Sequence, residues 1–190
     1  PIYFWGSQTY GIQPDMMTMA KGLSSGYQPL GAVMIADKVY QAIADESAKI
    51  GVFGHGFTYG GHPVPCAVAL ETLAIYEERD IVGRARAMTP HFQSALKTLA
   101  AHPLVGEARG VGMVGALEIV ADKGQKASFA PAGRGGAAVL RFAHEEGLIA
   151  RQMGDAIALS PPLVISEAEV ADLFGRLGRA LDKAARYLHS

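Results

Sequence analysis

A lysine stands between two short apolar runs. Asp15-Met16-Met17-Thr18-Met19-Ala20 ends at Lys21, and Gly22-Leu23-Ser24-Ser25-Gly26 follows at once. Pro29 and Gly31 then break any helix before Ala32-Val33-Met34-Ile35-Ala36. Each run has the length and composition of a buried strand, although periodicity alone leaves a helical turn open for the first. Residues 1–36 therefore read as loop, strand, loop, strand.

The rest of the chain alternates in the same way. Residues 38–49 read as a helix with Val39, Ala42 and Ile43 on one side. Residues 51–62 form a glycine-rich loop, and Pro63 opens a helix running to about Arg79, because proline suits a first turn. A further helix covers residues 81–101, with Pro90 early in it or marking a break. From His102-Pro103 the pattern changes. Strands are expected over residues 104–109, 113–120, 148–151 and 156–159, with a helix over 136–146 among them. The last helix is the plainest element. Ser166 and Glu169 form a capping box, and Val170, Leu173, Phe174, Leu177, Leu181 and Ala184 recur at helical spacing. We divide the chain into residues 1–101 and a small α+β domain with an antiparallel sheet over 102–190. The apolar opening, Pro1-Ile2-Tyr3-Phe4-Trp5-Gly6, has the look of a chain cut from something longer.

Composition narrows the function classes. A chain of 190 residues that is 49% hydrophobic and 18% charged can bury a core. A net charge of -1 with no Lys/Arg run argues against nucleic acid as a partner, since phosphate binding needs concentrated basic charge. The single cysteine, Cys66, excludes an intramolecular disulfide and fits a reducing, cytoplasmic setting. The apolar runs are far short of the ~20 residues that span a bilayer, and no charged-then-apolar leader opens the chain. No membrane partner is expected.

Lys21 is the first candidate for chemistry. In open α/β sheets ligands bind at the carboxyl ends of strands, where this lysine sits. Apolar surroundings disfavour its charged form and favour the free amine, which can form a Schiff base with a carbonyl. From position alone, a side chain that simply swings into solvent is the more ordinary reading, since catalytic lysines are rare against the surface background. The segment His55-Gly56-Phe57-Thr58-Tyr59-Gly60-Gly61-His62-Pro63 is the second candidate. Its glycines let backbone N–H groups approach an anion closely before a helix start, although a structural turn fits as well. Arg151, in Leu148-Ile149-Ala150-Arg151-Gln152-Met153-Gly154-Asp155, is the third. Its planar guanidinium suits a carboxylate, while a surface ion pair with Asp155 is the plain alternative.

Taken together, Gly11–Asp15, Thr18–Tyr27 and Pro29–Val33 closely resemble the cofactor-lysine segment of the class III aminotransferases, which depend on pyridoxal 5'-phosphate (PLP). The likeness is greatest to the ω-amino acid–pyruvate type and continues in order through the chain. It implies an α/β fold, PLP-dependent transferase fold type I, with residues 1–101 the end of the large mixed-sheet PLP-binding domain and 102–190 the small C-terminal domain. It implies that Lys21 carries PLP as a Schiff base and then serves as general base. Thr58 would contact the phosphate in the neighbouring subunit's site, with Phe57 beside it, and Arg151 would bind the substrate carboxylate. The substrates implied are an amine or ω-amino acid donor and a 2-oxo acid acceptor such as pyruvate. The assembly implied is a homodimer with shared active sites, with a tetramer as the larger form. The family's ring-stacking aromatic, its first phosphate loop and its pyridinium aspartate have no counterpart here, so a non-catalytic fragment that keeps only fold and interface is the alternative.

Two motifs mislead. Gly110-Val111-Gly112-Met113-Val114-Gly115 spells a dinucleotide fingerprint, but a strand follows where a helix is required. Gly22-Leu23-Ser24-Ser25-Gly26 spells a hydrolase nucleophile elbow, yet no helix can follow it, which leaves a serine hydrolase using Ser24 a distant third reading. The six histidines show no metal-ligand spacing, so no metal site is expected.

Overall fold

The computed structural model describes residues 3–189, so Pro1 and Ile2 of the apolar opening lie outside it. The chain falls into two compact units, one spanning Trp5–Ile81 and the other beginning at Val82 and taking in Tyr3 and Phe4.

The first unit starts with a single helical turn, α1 (Gly6–Thr9), unforeseen in the sequence. Strands β1 (Met16–Ala20) and β2 (Gly31–Ile35) pair antiparallel, with Ala20 opposite Gly31. They are the expected strands, but they are not buried. Val33 is 55% exposed and Met34 52%, and every residue of β2 is exposed. Apolar residues on both faces belong to a strand covered on both sides, and the described residues provide neither cover. Helix α2 (Asp37–Ile50) ends at Gly51, which takes the left-handed conformation at φ +76°. Helix α3 (Pro63–Glu78) starts on its proline, with the His62 imidazole accepting from the Val64 N–H at 3.1 Å.

The second unit holds the core. Helix α4 (Ile81–Thr98) carries Pro90 within it and runs into a 3₁₀ turn over Leu99–Ala101. Strands β3 (Val105–Val111), β4 (Val114–Ile119), β5 (Arg151–Met153) and β6 (Ala156–Leu159) form an antiparallel sheet in the order β3-β4-β6-β5. β5 therefore begins at Arg151, where the sequence had the strand ending. Helices α5 (Arg134–Glu145) and α6 (Glu167–Leu188) pack on one another. Ala85, Phe92 and Leu96 of α4 join Leu117, Ile157, Val139, Leu177 and Leu181 in one buried cluster, although the composition changes only at His102. Phe92 meets Phe174 edge-on, ring centres 5.2 Å apart. The capping box of α6 is present: the Ser166 N–H donates to Glu169 Oε2 at 2.8 Å, and the Glu169 N–H donates to Ser166 Oγ at 3.3 Å.

Candidate active site

Lys21 directly follows the last residue of β1 and opens a 3₁₀ turn, Lys21–Leu23. Its φ is +52°, a left-handed backbone that a lysine adopts only where its surroundings impose it. What imposes it is the loop that follows. The Lys21 carbonyl accepts from the Ser24 N–H at 3.2 Å, and the Ser24 carbonyl accepts from Tyr27 at 3.0 Å. Ser24 Oγ donates to the Gln28 carbonyl at 2.6 Å. The loop is thus stapled across its base before β2 begins. Helix α3 backs it, since a Cβ on Gly22 would stand 3.4 Å from the Tyr76 hydroxyl.

Ser24 is 2% exposed and its hydroxyl is committed as a donor. A nucleophile must be reachable and free to give up its proton to a base. The hydrolase reading of Ser24 is therefore corrected, and its sequence signal is a turn staple. The expected apolar setting of Lys21 is also corrected: the residue is exposed, and among the described residues no carboxylate pairs with its amine.

Phe57 and Thr58 lie where the glycine-rich loop tightens into a turn, with the Gly60 N–H donating to the Phe57 carbonyl at 2.9 Å. A Cβ on Gly60 would stand 3.1 Å from that oxygen, a tight contact that favours glycine at this point of the turn. Phe57, Tyr59 and His62 face Gln28–Gly31 across a cleft of about 560 Å³. The cleft brings Phe57 against the loop that follows Lys21. Neither Lys21 nor Thr58 lines it, and the two are not brought together. Thr58 is exposed, and its hydroxyl has no hydrogen-bond partner among the described residues.

Arg151 belongs to the other unit, on the edge strand β5 opposite Ala158. It is exposed, and among the described residues it has no ion-pair partner. The alternative pairing with Asp155 does not form. The Asp155 carboxylate instead accepts from Gly133 N–H at 2.8 Å and Gly136 N–H at 2.9 Å. Sequence reading missed this residue. Its signal was indirect: α5 opens on Gly133-Arg134-Gly135-Gly136 with no side chain able to cap it, so its free N–H groups had to find an acceptor elsewhere. Among the described residues no three His, Cys, Asp or Glu side chains gather as metal ligands.

The family model for class-III aminotransferases matches residues 3–181. The chain belongs to the class-III aminotransferases. An uncharacterized aminotransferase, y4uB, of Sinorhizobium fredii is 44% identical over 93% of the chain, and gamma aminobutyrate transaminase 1 of Solanum lycopersicum is 43% identical over the same share. The chain spans 38% and 34% of the lengths of those two relatives. A solved structure of the omega transaminase from Pseudomonas jessenii in complex with PMP superposes with a TM-score of 0.95 at 46% identity, over 99% of this chain and 42% of that one. A transaminase solved with L-ala gives 0.96 at 45%, over 98% and 44%. The PLP-dependent transferase fold and the small α+β part expected from sequence are those of these structures.

Class-III aminotransferases depend on PLP. The residues present suit that cofactor. Lys21 offers an exposed amine on a backbone held in one conformation, and Thr58 offers a hydroxyl in a turn of closely approaching backbone, neither group having a polar partner among the described residues.

Proposed function

We propose that this chain supplies the cofactor lysine, a phosphate contact and the substrate-carboxylate arginine of a transaminase. The enzyme would move an amino group from an amine or ω-amino acid to a 2-oxo acid, pyruvate in the first instance. The observation that carries this reading is Lys21, an exposed amine on a left-handed backbone in a chain of this family. PLP, when bound, supplies an electron sink for the carbanion left when a proton departs.

The chain's own residues do the rest. Lys21 Nζ is the group that would hold the cofactor covalently, as an exposed amine able to add to a carbonyl with loss of water and to be displaced by a donor amine. Once free, Nζ would serve as the general base that takes the proton from the substrate carbon bearing the nitrogen. The four-carbon stem gives the amine reach, while the stapled loop fixes where that stem starts. Thr58 Oγ1 donates to a phosphate oxygen in the neighbouring subunit's site, and Phe57 packs beside it. Arg151 grips a substrate carboxylate through two parallel N–H···O bonds and turns aside for donors that lack one. This division of labour makes the working unit a homodimer with shared sites, with a tetramer as the form built from it. With its lone cysteine, Cys66, we place it in the cytoplasm.

The test is made on the full-length parent protein. Lys21→Ala should abolish the visible absorption of lysine-bound cofactor and the turnover of an amine-donor panel against pyruvate and 2-oxoglutarate. Retention of both in the variant overturns the assignment of Lys21. A second reading, that these 190 residues alone are non-catalytic, is favoured by the bare faces of β1 and β2. The isolated chain failing to take up PLP would support it.

A further inference from the structure

We propose that Asp155, with Gln152, positions Arg151 by locking the β5–β6 turn onto the first turn of α5. The inference rests on the reading of Arg151 as the carboxylate-binding residue. Helix α5 has no cap of its own, because its N-cap is Gly133 in the left-handed region at φ +86°. Asp155 closes that end from 22 residues away, each carboxylate oxygen taking one backbone N–H. It is 9% exposed, so this is a buried carboxyl group set at the positive end of a helix.

Gln152 adds a second tie. Its Nε2 donates to the Gly133 carbonyl at 3.0 Å and to the Gly154 carbonyl at 2.9 Å. Side chains alternate along a strand. Gln152, bound to the start of α5, therefore leaves Arg151 and Met153 exposed on the opposite face. β5 has three residues, lies at the sheet edge and pairs with β6 alone. So short a strand gets little of its orientation from its ladder, and the turn tied to α5 supplies the rest. The same carboxylate does a second service. Asp155 is the acid nearest Arg151 in sequence on its C-terminal side, and by binding α5 it leaves the guanidinium for the substrate.

The experiment uses the full-length parent protein loaded with cofactor and follows the half-reaction with donor alone, so that no acceptor carboxylate intervenes. Two donors are compared, an ω-amino acid and an arylalkylamine that lacks a carboxylate. Asp155→Asn removes one of the two acceptors, and Gln152→Leu removes the second tie while leaving the carboxylate. Each should raise the half-saturation constant for the ω-amino acid about tenfold, short of the roughly hundredfold loss that a 1 Å misplacement can cause. The constant for the arylalkylamine, the rate at saturation and the cofactor's absorption should stay as in the parent. If Arg151→Leu shows no selective loss for the ω-amino acid, the assignment of Arg151 fails and the inference falls with it. If Arg151→Leu shows that loss and neither other variant does, the positioning role alone is overturned. Equal losses for both donors would also overturn it, since damage to the fold at large would not choose between them.

Discussion

Replacing Gly136 with alanine puts a methyl group where the β5–β6 turn already lies. The new Cβ would overlap the Gly154 carbonyl oxygen and stand 3.1 Å from the Asp155 Cα and 3.2 Å from the Gln152 Cγ. Two of these neighbours are backbone, so no change of rotamer relieves the contact. Relief requires the turn to move off α5, which costs the 2.9 Å bond from the Gly136 N–H to Asp155. Losing a hydrogen bond to a charged group costs about 1.5–3 kcal/mol, and overpacking costs about 1–3 kcal/mol. Alanine returns up to ~1 kcal/mol through its better helix propensity. The balance is a destabilisation of roughly 1.5–5 kcal/mol, read as a lower urea midpoint at unchanged slope. Gly175→Ala is the matched control. It lies exposed on α6, where a Cβ would meet only Arg179 Nη1 at 3.7 Å, so the same substitution should stabilise by about 0.5–1 kcal/mol. A Gly136→Ala protein as stable as its parent would refute the reasoning, because the turn would then be free to yield.

Two further outcomes concern the second unit. Phe92 is wholly buried against Phe174, so Phe92→Ala should cost about 3–5 kcal/mol in chemical denaturation, and a loss below ~1 kcal/mol would mean the core refills the space. Glu146 receives Lys183 and Arg179, each at 2.6 Å, and first the Lys183 and then the Arg179 hydrogen bond lowers its carboxyl from the ordinary 4.5 to about 2. A lowered folded value means that its contribution is whole above pH 4.5 and is lost as pH falls through about 2. Glu146→Gln should therefore flatten the dependence of unfolding midpoint on pH across that window, and an unchanged slope would remove Glu146 from the acid response.

Local signals were legible where local physics decides the outcome. The Ser166–Glu169 box, the proline start of α3 and the 156–159 strand all follow from neighbours a few residues apart, and each stands where the sequence put it. Burial was not legible in the same way. The apolar runs around Lys21 were rightly strands, but a period-two or continuous pattern says which face wants cover, not what provides it. β5 was displaced to Arg151–Met153 because a three-residue edge strand is defined by its partner β6 rather than by its own propensity. Lys21, Phe57, Thr58 and Arg151 were assigned their roles through the resemblance of whole segments. Asp155 and Ser24 were not. Their roles lie in hydrogen bonds closed by the fold, one across 22 residues and one across a four-residue turn that mimics a catalytic motif.

The uneven distribution of buried side chains sets different filters on sequence drift in the two units. From Ala85 to Ala184, interior substitutions are judged by packing that this stretch itself contains. Between Trp5 and Ile81, only Ala69 and Ile81 are buried apolar side chains among the described residues. A change at Val33, Met34 or Phe57 would therefore leave this stretch's own stability nearly untouched. Its effect would be felt at whatever surface those side chains meet, so variants there should separate solubility and assembly from folding.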